Sequence, residues 1–496
     1  MIHRVRPNPI LLYGFIFLIK KYGYGARANF LIRNISTIKI MTTENGALAH
    51  STTGNKLLDY FTMYVRGLDI KENNKYLEEC WAIDPQTTVA IILHGRDEKK
   101  EKRVSNEALL WLKKYKPNTY LANLDKYKGY WGDFIHIAKR SKDNSIEVKM
   151  FADQLKKDLD ALNSGGPVSL CAKWAPSEKP NHLKLLRSII AELGVNMEQY
   201  RKIYLSPLRK HINTVESIMC RGDEIDYDKV PSVAMKKYFK SFMRNDRTRF
   251  NQYLAQVKSG VKKMKVGKLL PHEIVQEYSD YNEIVDVLEE QWREIINQVK
   301  SSFDDSISVI DVSGSMDGTP MDVAIALGII TAQCCNGEFH NKFITFSTTP
   351  QLLDCTRESL YETIKYVRRA PWGGSTDFVA TCKLVIDHAK LNNTRPPKRI
   401  FVFTDMQFNS ATGDDTETIY NIVNNMFISA EYDVPKFIFW NLRATNNFPV
   451  TSKDSVILMS GFSEALLKSV MNNVAYDPTY ILREIVEKYQ PLIKDL

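Results

Sequence analysis

The chain has 496 residues, 44% of them hydrophobic and 25% charged, with a formal net charge of +9 at pH 7. That length exceeds what one hydrophobic core supports and implies two or three folded units of ordinary globular composition. The seven cysteines are odd in number, scattered, and form no C-x-x-C pair, and no histidine stands at finger spacing from them. This argues against a zinc module and a disulfide framework, and for a reducing compartment, cytosol or nucleus.

The charge is unevenly divided. Residues 301–496 carry a net −6, so 1–300 carry +15, and 201–270 alone hold 17 basic and 6 acidic side chains. A polyanionic partner would meet the front half.

The first forty residues contain no Asp or Glu, seven Lys or Arg, and an apolar run from Ile10 to Ile19. That run is about half the ~20 residues that cross a bilayer, so no membrane attachment is expected. Its composition suits a signal peptide or transit-like presequence; alternatively Met41 is the working start and 1–41 is a basic extension without a folded role. The free cysteines that follow favour the second reading.

From Met41 to about Ser301 the apolar residues recur at three and four, as in Leu57–Leu58–Tyr60–Phe61–Tyr64–Val65. Similar segments are Leu109–Leu112, Leu183–Leu193, Val233–Phe242, Phe250–Val261 and Ile284–Val299, with polar breaks at Ser164–Pro167 and Gly222–Asp223. These predict an all-α, helical-repeat-like domain over 42–300, although no repeat of fixed period is present.

At Ser306 the period changes. Strands are expected at Ser306–Ile310, Lys342–Ser347, Arg399–Thr404, Lys436–Asn441 and Val456–Met459. Helices are expected at Pro320–Cys335, Glu358–Arg369, Phe378–Lys390, Glu464–Val470 and Tyr480–Tyr489, with a turn-rich loop over Pro371–Asp377. The alternation implies an α/β domain over 303–490 with a doubly wound, mostly parallel sheet. Ligands of such sheets bind at the carboxyl ends of strands, where Asp311 and Asp405 both fall.

Asp311-x-Ser313-x-Ser315, Thr376 and Asp405 together supply two carboxylates and three hydroxyls, an all-oxygen set suited to Mg²⁺ or Mn²⁺. So little negative charge leaves the ion electrophilic and open to one acidic group from a partner. The bland alternative is that the aspartates cap helices and the hydroxyls fill turns. Five oxygen-bearing residues at three strand ends exceed what caps require.

These residues resemble the metal-ion-dependent adhesion site of von Willebrand factor A domains. Asp311-Val-Ser-Gly-Ser315-Met matches the D-x-S-x-S signature, Thr376 the loop threonine, and Asp405 in Phe-Thr-Asp the distal aspartate. The resemblance implies a metal site at those five positions, with Asp377 and Ser375 behind them. Ser375 departs from the family pattern, which more often has glycine directly before the threonine, so either hydroxyl is a candidate ligand. Segments Glu44–Asp59, Ser206-Pro-Leu-Arg-Lys210, Val230-Pro-Ser232, Pro271-His-Glu273 and Phe439-Trp-Asn-Leu-Arg443 resemble the family known as domain of unknown function 2828, found in plants, fungi and giant viruses. The order of parts is also similar to the Ro autoantigen (TROVE) proteins, whose helical ring binds small RNAs; that likeness is one of architecture, and fold alone does not give function.

Within 233–268, bases interleave with aromatics. Lys236, Lys237, Lys240, Arg244, Arg247 and Arg249 are candidate phosphate contacts, and Tyr238, Phe239, Phe242, Phe250 and Tyr253 candidate stacking platforms. At helical spacing most of those aromatics are instead expected in the core. The tract from Gly260 to Gly267-Lys268-Leu269 is not a phosphate loop, because its spacing is six and leucine stands where Ser/Thr belongs. Asp311 is not a phosphoaspartate nucleophile, because Ser313 occupies the place of the second carboxylate. The histidines, including His94, His136, His211, His272, His340 and His388, stand singly, and Trp131 and Trp174 read as packing anchors.

The sequence therefore predicts a non-enzymatic binding protein with an acidic partner at the metal and an RNA contact on the helices. The alternative is an assembly component, for instance of a virus particle, acting through protein contacts alone. A metal-dependent hydrolase is disfavoured, since no general base or nucleophile accompanies the site.

Overall fold

The structure, a computed structural model, describes residues 38–496 except 128–130, 268, 282, 301–304, 347–348, 371–375, 412–416, 453, 464–465, 468–469 and 471–478. A helical half is followed by a mixed, mostly parallel six-stranded sheet with helices. Before the first helix comes an element absent from the expectation, a two-stranded hairpin of β1 (Ile40–Thr42) and β2 (Leu48–His50). Those residues pair along the α/β half: the N–H and C=O of His50 exchange hydrogen bonds with those of Phe448 at 2.8 and 3.0 Å.

The helices start and stop where local chemistry directs. Asn55, Asp69 and Asp84 each accept two backbone N–H bonds at the starts of Lys56–Met63, Ile70–Ile83 and Pro85–Asp97, and proline leads the third. Gly194 and Gly222 end their helices at φ of 69° and 71°, a left-handed backbone that glycine adopts without strain. Among the described residues no helix is long and apolar enough to cross a membrane.

The large sheet comprises β3 (Ser306–Ile310), β4 (Lys342–Thr345), β5 (Leu352–Asp354), β6 (Arg399–Thr404), β7 (Lys436–Asn441) and β8 (Ile457–Ser460). Its spatial order is β5-β4-β3-β6-β7-β8, parallel except for the antiparallel edge strand β5. Strands β3, β6 and β7 are buried almost throughout, which is why β6 and β7 read as apolar runs and β3 carries nothing larger or more polar than serine between its apolar residues. The helix Thr319–Cys334 lies so close to β3 that a Cβ on Gly328 would come within 2.4 Å of Ile310 Cδ1. On the other side, Phe378, Tyr420 and Phe427, from the helices Phe378–Leu391 and Ile419–Ser429, meet Phe437 of β7.

The two halves share one hydrophobic core. Polar ties cross between them as well. The Glu289 carboxylate caps the helix Leu360–Arg369, accepting from Leu360 N at 2.8 Å and Tyr361 N at 3.0 Å, and Trp292 Nε1 donates to Gln333 Oε1 at 2.8 Å. The helix Tyr480–Tyr489 folds back on Pro85–Asp97, and Lys488 pairs with Glu98 at 2.6 Å.

Candidate functional site

The chain leaves β3 for β4 on one side and crosses back to β6 on the other, so the order of winding reverses between the parallel strands β3 and β6. Crevices form at such a switch point. Because Ile310 lies beside Phe403 in parallel register, the residues that follow, Asp311 and Thr404–Asp405, emerge together at the carboxyl edge. Asp311 and Asp405 are both fully buried. Asp311 Oδ2 accepts from Thr404 Oγ1 at 2.6 Å and its Oδ1 from Ser313 N at 3.0 Å, while Asp405 Oδ1 accepts from Gln407 N at 3.1 Å. Burial, and after it the charge of Asp405, push the Asp311 carboxyl up to about 6, against the pull of the Thr404 and Ser313 hydrogen bonds.

After Asp311 the chain makes one tight turn over Gly314–Met316. Met316 is buried and anchors the turn, while Ser313 and Ser315 stay partly open with their hydroxyls 2.9 Å apart. Gly318, at φ 86°, then starts the helix Thr319–Cys334. Thr376 arrives from a third loop and is fully buried. Asn409 holds its backbone from both sides, through Thr376 N to Asn409 Oδ1 and Asn409 N to Thr376 O, each 3.0 Å. The Thr376 hydroxyl has no hydrogen-bond partner among the described residues. Leaving a buried hydroxyl unpaired costs about 1–3 kcal/mol.

An orphaned hydroxyl, two crowded carboxylates and two serine hydroxyls at the lip are the donor set that a hard dication takes. Among the described residues no three His, Cys, Asp or Glu side chains converge. Of the two residues expected behind the ligands, Ser375 lies outside the described residues. Asp377 caps the helix Phe378–Leu391, accepting from Ala380 N at 2.8 Å, which accounts for its carboxylate without the site.

The basic stretch divides in two. Lys236 pairs with Glu277 at 3.2 Å, and Arg249 with Glu224 at 2.8 Å and Asp246 at 3.0 Å. Lys237, Lys240, Arg244 and Arg247 are exposed, with Lys237 and Lys240 over the rings of Tyr238 and Tyr281 at 4.8 and 4.4 Å. Phe242, Phe250 and Tyr253 pack around Tyr227 in the core, as helical spacing predicts, so they offer no stacking surface. His94 and His272 are buried, and burial holds both below the usual histidine range, His272 at about 3. They behave as structural residues.

Sequence reasoning missed a buried charge at the junction of the halves. Lys99 stands in the run Asp97-Glu-Lys-Lys-Glu-Lys102, which reads as a solvated segment, yet Lys99 and Glu101 are both fully buried. Lys99 Nζ donates to Phe61 O and, at 2.7 Å, to Ser460 Oγ, and lies 3.7 Å from the Phe61 ring centroid. Burial depresses this amine far below the usual lysine range. The Ser460 hydroxyl also donates to Phe61 O, at 3.1 Å.

The family model for domain of unknown function 2828 matches residues 43–148 and 190–303, and that for domain of unknown function 7788 matches 305–490. The chain is 34% identical over 499 aligned residues to "Uncharacterized protein L728" of Acanthamoeba polyphaga mimivirus, covering 90% of this chain and 87% of that one. A search of solved structures finds the Ro (RSR) protein of Deinococcus radiodurans at a TM-score of 0.38 and 14% identity, over 83% of this chain and 92% of that one.

Proposed function

The chain belongs to the family of domain of unknown function 2828, with a C-terminal domain of unknown function 7788, and on that premise we propose that it is a non-enzymatic binding protein built around a divalent-cation site. In this reading Asp311, Ser313, Ser315, Thr376 and Asp405 hold Mg²⁺ or Mn²⁺ in the manner of a von Willebrand A adhesion site. The bound ion supplies an electrophilic position that an acidic side chain of a partner protein fills. The observation that carries this is the fully buried Thr376 hydroxyl, which has no hydrogen-bond partner among the described residues, together with the two buried carboxylates that follow adjacent strands at the switch point of the sheet. Among the described residues no nucleophile–base pair is set beside them, which supports capture over chemistry.

The exposed cations Lys237, Lys240, Arg244 and Arg247 support a second contact, with RNA or another polyanion. The competing reading is an assembly component, intracellular or within a virus particle, that uses protein contacts alone. The burial of Phe242, Phe250 and Tyr253, which removes three of the five candidate stacking platforms and leaves Tyr238 and Phe239 half-buried, favours that alternative.

The test is the melting temperature of the full chain with and without Mg²⁺, since a ligand that binds only the folded state raises apparent stability. Wild type should gain stability, and Asp311→Ala should not respond. The same gain in both proteins would remove the metal reading.

A further inference from the structure

We propose that the turn Thr43–Ala47, between β1 and β2, is a positioning element for the metal centre, and that Asn45 and Gln407 set its affinity for the ion. This rests on the metal reading above and adds two residues that touch no ion themselves.

Two of the five ligands sit in loops that the sheet holds at one end or not at all. Asp405 is the first residue past β6, and Thr376 lies just ahead of the helix Phe378–Leu391. The segment Gln407–Asn409 links them. The Gln407 N–H donates to the Asp405 carboxylate at 3.1 Å, and Asn409 brackets the Thr376 backbone with its two 3.0 Å bonds.

What fixes that segment is the start of the chain, more than 350 residues away in sequence. Asn45 Nδ2 donates to Gln407 O at 2.6 Å, and Thr43 Oγ1 to Phe408 O at 2.6 Å. Ser410 N donates to Asn45 O at 3.1 Å, and Gly46 forms a bridge with Asn409. Gln407 Oε1 accepts from both Glu44 N and Asn447 Nδ2, each at 2.8 Å. The fit leaves no slack at Gly46, which has φ 95° and whose missing Cβ would stand 3.3 Å from Ser410 Cβ.

The buried Gln407 amide therefore joins three segments while its own backbone orients a ligand carboxylate. Partners that orient the ligands of a metal are typically worth ~10- to 100-fold in affinity. A ligand loop tied at both ends keeps its oxygens placed before the ion arrives, as a preorganised site requires.

The experiment is a Mn²⁺ titration of the full chain at a temperature well below melting, in wild type and in Asn45→Ala, Gln407→Met, Thr43→Val and Thr43→Ser. Asn45→Ala and Gln407→Met should weaken Mn²⁺ binding by ~10-fold or more. Thr43→Val should weaken it less, and Thr43→Ser, which keeps the hydroxyl donor, should restore wild-type affinity. A purely structural turn would lower the metal-free melting temperature and leave the affinity unchanged; that result overturns the proposal. Thr43→Val is the mildest change and keeps the test decisive if Gln407→Met does not fold. Wild type that binds no Mn²⁺ would sink the metal reading itself and this inference with it, an outcome distinct from bound metal with unaltered variants.

Discussion

The carboxyl edge of the sheet and the basic face of the helices hold their polar groups under opposite conditions. At the edge, Asp311, Asp405 and Thr376 are fully buried, the two carboxylates repel each other, and one hydroxyl has no partner among the described residues. On the helices, Lys236 and Arg249 are satisfied by neighbouring acids, and Lys237, Lys240, Arg244 and Arg247 face water. Buried polar groups left unsatisfied are expensive and need a reason, whereas exposed charge costs almost nothing to keep. The edge therefore argues for a ligand on its own, and the helical face does so only through its net charge.

The contrast can be broken first at the edge. Saturating Mg²⁺ at about a hundred times its dissociation constant should stabilise wild type by about 2.7 kcal/mol, and Asp311→Ala should abolish that gain. Calorimetry of both proteins with and without the ion reads it; an equal gain in the variant would place the cation elsewhere.

The helical face is probed by reversing Lys237, Lys240, Arg244 and Arg247 to Glu together. If all four meet phosphates, the dependence of log affinity for single-stranded RNA on log salt should flatten by about 3 units, at ~0.7 per contact. Filter binding over a salt series shows this, and an unchanged slope would leave the four residues as a solvated face. Changing Lys236 and Arg249 to Ala should instead cost stability through their lost ion pairs and leave that slope nearly untouched.

A third test uses Lys99, a buried amine that serves structure. Its depressed ionisation means the folded state disfavours the proton, so stability is full above the usual lysine range near ~10.4 and is lost as pH falls towards the depressed value. Lys99→Met should remove that slope and melt at or above wild type at neutral pH, since Ser460 still donates to Phe61 O. Lys99→Ala should leave a cavity and lose about 2–4 kcal/mol. A methionine variant less stable than the alanine one would show that the hydrogen-bonding amine is needed.

The smallest expected effect is the most diagnostic of strain at the edge. Thr376→Val keeps the shape and removes the orphaned hydroxyl, so without metal it should equal or exceed wild-type stability by about 1 kcal/mol. It should nonetheless bind Mg²⁺ less tightly. A clear loss of metal-free stability would mean the hydroxyl is already satisfied.

Much of the fold was legible because its strands are buried on both faces. Arg399–Thr404 and Lys436–Asn441 read as apolar runs with sharp ends, and the aspartate closing each of Ser306–Ile310 and Arg399–Thr404 marked the site. The hairpin at 40–50 and the edge strand Leu352–Asp354 were not legible, since three-residue strands carry too short a pattern. The helix Ile419–Ser429 was masked by its asparagines, which are weak helix formers. Lys99 could not be found from its neighbours, because the burial of a charged run depends on the distant β8 edge that covers it. The same holds for Asn45 and Gln407, whose link spans more than 350 residues of sequence.

The most direct test of the central claim is calorimetric titration of the full chain with Mn²⁺, in wild type and in Asp405→Asn. The account predicts one ion per chain in wild type, and little or none in the variant. Equal binding in both, or none in either, would contradict it.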